Sequence, residues 1–229
     1  MVYSCVSTSH IRQVGLWAVA LGLLALSVAG CVRLLEPRAS DATYYLLDRA
    51  QQTDASTPDT PRLTVGLREP RLASYLDPTR IVTRRGPHRI NFAEFHRWGE
   101  DLDRGINRTV AQNLETRSDI RSVEAVPWPE GSTFDYVVEL HVLRFEGVGP
   151  PPDLEADDDA PAPDGHSQMA VQWTIRHPKV DTILARGQTR HRTDDWRVNN
   201  YGALVEHLGR GLDVLVDDVG TRLHALDRP

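Results

Sequence analysis

The residue best placed for chemistry is Cys31, which closes the tetrapeptide Val28-Ala29-Gly30-Cys31. The preceding residues, 14–29, carry no charged side chain, and Arg12 is the only Lys or Arg upstream of them. Small side chains before a cysteine let the extended backbone enter a signal peptidase, and the cysteine thiol is a nucleophile that can take a diacylglycerol group. This pattern is typical of a bacterial lipobox and predicts that Cys31 is the lipidated first residue of the mature chain.

The apolar run is too short for a permanent membrane span. Residues 14–29 would make about 24 Å of helix, whereas the hydrocarbon core of a bilayer is about 30 Å thick. Residues 1–30 are therefore predicted to be a lipoprotein signal peptide that is removed. The alternative is an ordinary signal peptide in which Cys31 is incidental. Several acyl chains, each gaining about 0.8 kcal/mol per buried methylene, would hold the mature chain on a bilayer permanently.

A second candidate for chemistry is the polar cluster formed by Glu94, His96 and Arg97. A carboxylate near an imidazole can exchange protons, so an anchored hydrolase built on Glu94 and His96 is one hypothesis. The structural alternative is that these residues support the start of a helix while Trp98 seals the core. We favour the structural alternative, because acid–base chemistry also needs a pocket and a second partner.

The sequence lacks the common signatures of catalysis and metal binding. It contains no Gly-x-Ser-x-Gly elbow, no Gly-rich phosphate loop and no His-Glu-x-x-His pair, and its histidines are scattered singly. Residues 150–165 are rich in Pro and in acids, including Asp157-Asp158-Asp159, but their spacing fits no EF-hand template. We predict a solvated loop there, no metal, and no cofactor other than the covalent lipid on Cys31.

Composition limits the partners and the architecture. Loss of Arg12 with the signal peptide changes the formal net charge from −6 to about −7, and an acidic chain is a poor nucleic-acid binder. Cys5 is lost as well, so no disulfide can form within the mature chain. The remaining residues suffice for one domain with a real core.

Hydrophobic periodicity predicts two helices and at least seven strands. The first helix covers residues 94–117, where apolar side chains recur every four residues, and the second covers residues 201–226. Alternation in residues 134–142 predicts a central strand, and a hairpin turns at His177-Pro178-Lys179. The other predicted strands are residues 43–47, 62–67, 81–84, 89–92, 168–175 and 183–193. The order of elements predicts an α/β fold with a mixed sheet.

Four sequence blocks carry a resemblance to a known family. They are Tyr44-Tyr45-Leu46-Leu47 soon after Cys31, Tyr75-Leu76-Asp77 with Ile81-Val82-Thr83-Arg84, Glu94-Phe95-His96-Arg97-Trp98, and Arg144-Phe145-Glu146. Over residues 44–226 the chain resembles the ABC-type transport auxiliary lipoproteins, the PqiC group. It departs from that family at Gly99 and Asp101, where Ala and Pro are more usual, and in the acidic loop.

The resemblance implies a fold, an anchor and a role. The fold is a single three-layer α/β domain with a mixed sheet and two main helices, over residues 43–229, joined by a tether, residues 31–42, to the lipid on Cys31. The expected location is the periplasmic face of the outer membrane, and Val32 after Cys31 agrees with outer-membrane sorting. Members work with an inner-membrane component and a periplasmic MCE-domain protein that forms a lipid tunnel, and they can form homo-oligomeric rings.

Two non-enzymatic hypotheses follow. In the first, the protein is a subunit of an MCE and ABC-type system that moves lipids between the two membranes and maintains envelope integrity. In the alternative, it is an envelope lipoprotein that serves as an assembly factor or plug for another outer-membrane complex. Neighbouring permease, ATPase and MCE genes would favour the first hypothesis.

We expect the substitution Cys31→Ser to abolish lipidation, because the acylated thiol is the only strong anchor in the sequence. The variant should be an unprocessed inner-membrane precursor or a soluble periplasmic form. Labelled palmitate and blotting of membrane fractions measure both properties. A Cys31→Ser protein that stayed in the outer membrane would refute the anchor.

Overall fold

The computed structural model describes residues 41–48, 63–151 and 161–227, and their elements belong to one compact unit, Ala42–Pro229. These residues form nine strands in one mixed sheet and two helices, which confirms the expected α/β class. The strands are β1 (Thr43–Tyr45), β2 (Leu63–Leu67), β3 (Arg71–Leu72), β4 (Arg80–Arg85), β5 (Arg89–Trp98), β6 (Ile120–Ala125), β7 (Tyr136–Gly149), β8 (Asp164–Arg176) and β9 (Ile183–Arg197). The helices are α1 (Leu102–Glu115) and α2 (Tyr201–Asp227).

The sheet is built around β7, the central strand that the alternating pattern predicted. Along one edge β7 pairs antiparallel with β8, from Val137 to Val148. Its other edge pairs in parallel with β2 near its start, with β3 in its middle and with β4 at its end. Because a strand has only two edges, β2, β3 and β4 follow one another along the same side of β7.

The outer strands lie at opposite ends of β7. β6 pairs with β2, whereas β5 pairs with β4 and carries β1 on its far side. Gly66 of β2 is level with Val137, and Arg84 of β4 is level with Val148. Those two positions on β7 are roughly 35 Å apart along an extended strand. β2 and β4 therefore lie near opposite ends of β7, whereas α1 reaches back to the β1 edge, since Arg108 Nη2 and Thr109 Oγ1 both donate to the Leu47 carbonyl at 2.8 Å.

Both helices lie against the same face of the sheet. They contact each other directly, since Asn113 Nδ2 of α1 donates a 2.8 Å hydrogen bond to Asp213 Oδ1 of α2. The four-residue apolar spacing of α1 is confirmed, because Ile106, Val110 and Leu114 are fully buried. In the described part of the chain the helices thus form one layer, and no described helix covers the opposite sheet face.

Two glycines allow tryptophan rings to lie flat on the sheet. A Cβ on Gly147 would stand 2.6 Å from the Trp196 ring, and one on Gly187 would overlap the Trp173 ring. Both tryptophans are buried in the core. An alanine at either position would force the ring off the sheet, so the glycines are required for this packing.

The predicted helix over residues 94–117 is wrong in its first part. Residues up to Trp98 belong to β5, and α1 begins only at Leu102 after an N-cap at Asp101. The backbone N–H of Trp98 donates to the carbonyl of Thr79 at 2.9 Å, a strand contact rather than a helical one. Trp98 reaches the core from the end of a strand, so its four-residue distance from Leu102 mimics helical periodicity.

The acidic loop is shorter than predicted, and two strands were missed. Asp164 and Gly165 pair with Arg197 and Trp196 of β9, because β8 begins before the loop was expected to end. Residues 152–160, including the three consecutive aspartates, lie outside the described residues. Neither β3 nor β6 was predicted from the sequence, because β3 is only two residues long and β6 mixes polar and apolar side chains without alternation.

We expect Trp98→Ala to lower the free energy of unfolding by about 3–5 kcal/mol, because it leaves a cavity in the core. Trp98 is 6% exposed and its ring lies 5.9 Å from that of Phe145. Phe95→Ala, on the same strand but 52% exposed, is the matched control and should change stability little. Urea denaturation of the chain from residue 32 onward tests this, and equal effects of the two substitutions would contradict the assignment of Trp98 to the core.

Candidate functional site

The predicted lipid anchor, Cys31, lies outside the described residues, so its modification stays a prediction. The described domain begins at an edge of the sheet: β1 starts at Thr43, twelve residues after Cys31, and pairs only with β5. The surface around β1 and β5 is therefore the part of the domain closest in sequence to the anchor. It also unites two of the sequence blocks, those around Tyr44 and Glu94.

One face of this edge exposes an apolar row, which we define as Tyr44, Leu46 and Phe95. Tyr44 lies opposite Arg97, so it shares a sheet face with Phe95, two residues earlier on β5. Leu46 follows β1 and leans over Gly99. The three side chains are 63%, 55% and 52% exposed, respectively. The apolar row is therefore a candidate contact surface.

The other face of the same edge is packed by three rings. The Tyr45 hydroxyl and His96 Nδ1 are 3.0 Å apart and share a hydrogen bond. The His96 ring stacks on Tyr201 of α2, with centroids 4.0 Å apart and planes 17° from parallel. Burial raises the pKa of both tyrosines. His96 thus links β1, β5 and α2 and has a structural role.

The structure does not assemble the catalytic pair of the hydrolase hypothesis. Glu94 is exposed and takes part in none of the hydrogen bonds or ion pairs found among residues 41–48, 63–151 and 161–227. Arg97 is exposed as well, and its backbone pairs with Tyr44. The imidazole of His96 is occupied by Tyr45 and Tyr201. The cluster predicted from sequence is therefore a packed strand and not a proton-transfer site.

A polar network missed at the sequence level is centred on Glu146, which is 0% exposed. Arg84 donates to both carboxylate oxygens, from Nε to Oε1 at 3.0 Å and from Nη2 to Oε2 at 3.3 Å. Gln168 Nε2 donates to Oε1 at 2.7 Å. The hydrogen bonds from Arg84 to Glu146 raise the pKa of Arg84. The network joins β4, β7 and β8 at the end of β7 that carries the β1–β5 edge.

Tyr75 of the Tyr75-Leu76-Asp77 block contacts this network, whereas Asp77 of the same block binds Thr79 and Arg80. The Tyr75 ring lies 5.4 Å from the Arg84 guanidinium, and its hydroxyl donates to the Leu143 carbonyl at 3.1 Å. Burial and the negative charge of Glu146 raise the pKa of Tyr75 to about 12. Burial alone would raise the pKa of Asp77, but hydrogen bonds from Thr79 and Arg80 outweigh it and lower that pKa to about 2.

The resemblance blocks thus converge in space. Arg84 and Glu146 are each the last residue of a resemblance block, so the sequence singled out both of them. Their contact could not be predicted, because 62 residues separate them and no spacing rule links them. Among the described residues no group of three potential ligands could hold a metal ion, and no helix is long and apolar enough to cross a membrane. The geometry around β1 and β5 offers a contact surface supported by a buried ion pair.

A comparison with protein families gives a match over most of the described domain. A family model described as the ABC-type transport auxiliary lipoprotein component matches residues 45–220. This range contains all of the resemblance blocks except Tyr44. No curated protein sequence gives a significant match.

Solved structures share the fold at low sequence identity. Protein XCC0632 from Xanthomonas campestris, of family DUF330, matches with a TM-score of 0.62 and 14% identity, over 78% of this chain and 93% of that chain. The crystal structure of an uncharacterized protein matches with a TM-score of 0.57 and 15% identity, over 80% of this chain and 98% of that chain. These similarities extend over nearly the full length of both solved chains.

We expect Arg84→Met to destabilise the fold by about 3–5 kcal/mol, because it leaves the Glu146 charge buried without its partner. The double substitution Arg84→Met and Glu146→Leu should recover most of that loss, since it removes both charges. Urea denaturation of the three proteins at neutral pH measures both steps. A single variant as stable as the wild type would show that the ion pair does not hold β4 to β7.

Proposed function

This chain belongs to the family of ABC-type transport auxiliary lipoprotein components, and on that premise we propose that it is a non-enzymatic subunit of an MCE-type system that moves lipids between the inner and outer membranes. We place it on the periplasmic face of the outer membrane, held by lipid on Cys31. The observation that carries the proposal is the family match over residues 45–220, together with a lipobox that ends twelve residues before β1.

The chain has three parts in this proposal. Residues 1–30 are a signal peptide that is removed, residues 31–42 are a lipidated tether, and residues 43–229 are the domain. A fully extended tether of this length reaches about 40 Å, so the domain works within that distance of the bilayer surface. Acyl chains on Cys31 make the attachment effectively permanent.

The apolar row supports an orientation with the β1–β5 edge toward the membrane. Tyr side chains are favoured at membrane–water interfaces, where their rings sit at the level of the headgroups, and Phe and Leu side chains bury at the headgroup–acyl boundary. Tyr44 on β1, the first strand after the tether, and Phe95 on the neighbouring strand β5 are each more than half exposed, and Arg97 lies beside them. A basic side chain there suits the anionic headgroups of a bilayer.

A binding role also agrees with the structural roles of the residues in the sequence blocks that resemble the family. His96 is held by two tyrosines, and Glu146 is held by Arg84 and Gln168. These contacts stabilise a surface and leave no polar pair free for acid–base chemistry among those residues. We therefore propose that the protein acts by binding partners, and that its principal partner is a periplasmic MCE-domain protein. We propose a homo-oligomeric ring as its functional form.

The test is co-purification from native membranes. The full-length lipidated protein, tagged at its C-terminus and solubilised in mild detergent, should recover the MCE-domain protein encoded in the same genome. Cys31→Ser is the control and should recover less, because the unanchored domain is diluted through the periplasm. Deletion of the gene should sensitise cells to detergents. Repeated absence of an MCE protein from the wild-type eluate would reject the proposal, and recovery of another outer-membrane assembly complex would support the assembly-factor alternative.

A further inference from the structure

The sheet face opposite the two helices carries four exposed arginines. Arg144 of β7 lies opposite Ala170 of β8, which in turn lies opposite Arg190 of β9, so these two arginines stand on the same face. Arg71 of β3 and Arg186 of β9 are exposed on that face as well. We call Arg71, Arg144, Arg186 and Arg190 the arginine face.

The packing of β8 fixes the side of the sheet on which these arginines stand. Met169 contacts α2, because its sulfur would lie 3.2 Å from a Cβ on Gly211. Successive side chains of a strand point to opposite faces, so Ala170, Gln172 and Thr174 point away from α2. The residues paired with these three on β7 and β9, and the residue level with them on β3, share that side. They include all four arginines.

The positive charge of the arginine face is not compensated by its neighbours. Three carboxylates of β7 and β9 point to the same side, and each already has an arginine of its own: Glu139 binds Arg176, Glu146 binds Arg84, and Asp194 binds Arg192. The arginine face makes no ion pair with any residue that the structure describes. On the opposite side of the sheet, α2 carries five acids against two arginines. The two sides of the domain therefore differ in the sign of their charge.

The chemistry of the arginine face suits phosphate esters. Arg144 and Arg190 are two strand spacings apart, roughly 10 Å across the sheet, and the small side chain of Ala170 between them leaves room for a phosphate that both can bind. The rows between the four arginines contain polar side chains and Ala170, and no Trp, Tyr, Phe, Leu or Ile. The face thus lacks the large apolar anchors on which most protein–protein interfaces depend.

The apolar row lies on the same side of the sheet as the arginine face. Phe95 points away from α2, because His96, the next residue on β5, stacks on Tyr201 of α2. Tyr44 shares the face of Phe95, and Arg97, which is exposed and level with Tyr44, stands on it too. One side of the sheet therefore combines aromatic side chains near the tether with arginines further away.

From the charge, the polar chemistry and this continuity we infer that the arginine face docks on the anionic headgroups of the bilayer to which the chain is anchored. The apolar row enters the interface at the β1–β5 edge, and the guanidinium groups bind lipid phosphates across the rest of the sheet. The inference rests on the proposed function for the lipid on Cys31. It adds a requirement for anionic lipid, which the acyl chains alone do not impose. The acidic side of α2 then points away from the membrane.

Fluorescence quenching of the lipidated protein in nanodiscs tests this docking. The mature chain has no cysteine besides Cys31, so a new cysteine can be labelled alone. Gln172→Cys places a fluorophore within the arginine face, and Thr221→Cys, exposed on α2, is the control position. In an equal mixture of phosphatidylglycerol and phosphatidylcholine, a quencher on the headgroups should quench the label at position 172 and not the label at 221. Pure phosphatidylcholine or high salt should abolish that quenching.

Substitutions separate the arginine face from the overall charge of the chain. Arg144→Gln and Arg190→Gln should each lower the ratio of docked to undocked protein about fivefold in the mixed nanodiscs. Arg222→Gln removes the same charge from α2 and is the matched control, which should dock as the wild type does. All three arginines are exposed, so the melting temperature should not change.

Two results would overturn the inference and leave the proposed function standing. The first is quenching at position 172 that does not depend on phosphatidylglycerol. The second is a label at 172 that is shielded from water in neutral detergent, which would show that a second copy or another protein covers the face. The proposed function is judged separately, by recovery of the MCE-domain protein. A mass of the purified protein without lipid on Cys31 would reject the anchor and the docking together.

Discussion

The carboxylate of Glu146 has no exposure to solvent, and the arrangement of three strands follows from the need to pair it. A buried charge is tolerated only when it is hydrogen-bonded and compensated. Arg84 supplies the charge from β4 on one side of β7, and Gln168 supplies a donor from β8 on the other. A shift of either strand by one residue would turn its side chain to the opposite face, so this one group selects the register of both neighbours.

The contact surface depends on that register. β4 carries β5, β5 carries β1, and the apolar row stands on the last two of these strands. On the inner side, His96 and Tyr201 connect the same edge to α2. The blocks that resemble the transport auxiliary family are therefore spread over the sequence but concentrated at one end of β7, where they build and support a single surface.

Much of this architecture could be predicted from local patterns, and the exceptions have physical causes. The alternation of apolar and polar residues predicted β7, because its inward and outward side chains meet different environments. The long row of apolar residues at helical spacing predicted α2 in spite of its glycines. The helix was predicted to begin too early because Trp98 lies four residues before Leu102, which is also the spacing of one helical turn. Trp98 instead reaches the core from the end of β5. The Arg84–Glu146 pair and the hydrogen bond from Asn113 to Asp213 depend on tertiary neighbours, which residue type and spacing do not encode.

The succession of β2, β3 and β4 along one edge of β7 also bears on mechanics. When a force acts along the axis of β7, the strands beside it are pulled past one another. The hydrogen bonds between β7 and these three strands are then loaded in shear, and they must rupture together instead of opening one after another. The domain is therefore expected to withstand a pull along this axis better than a pull across the sheet.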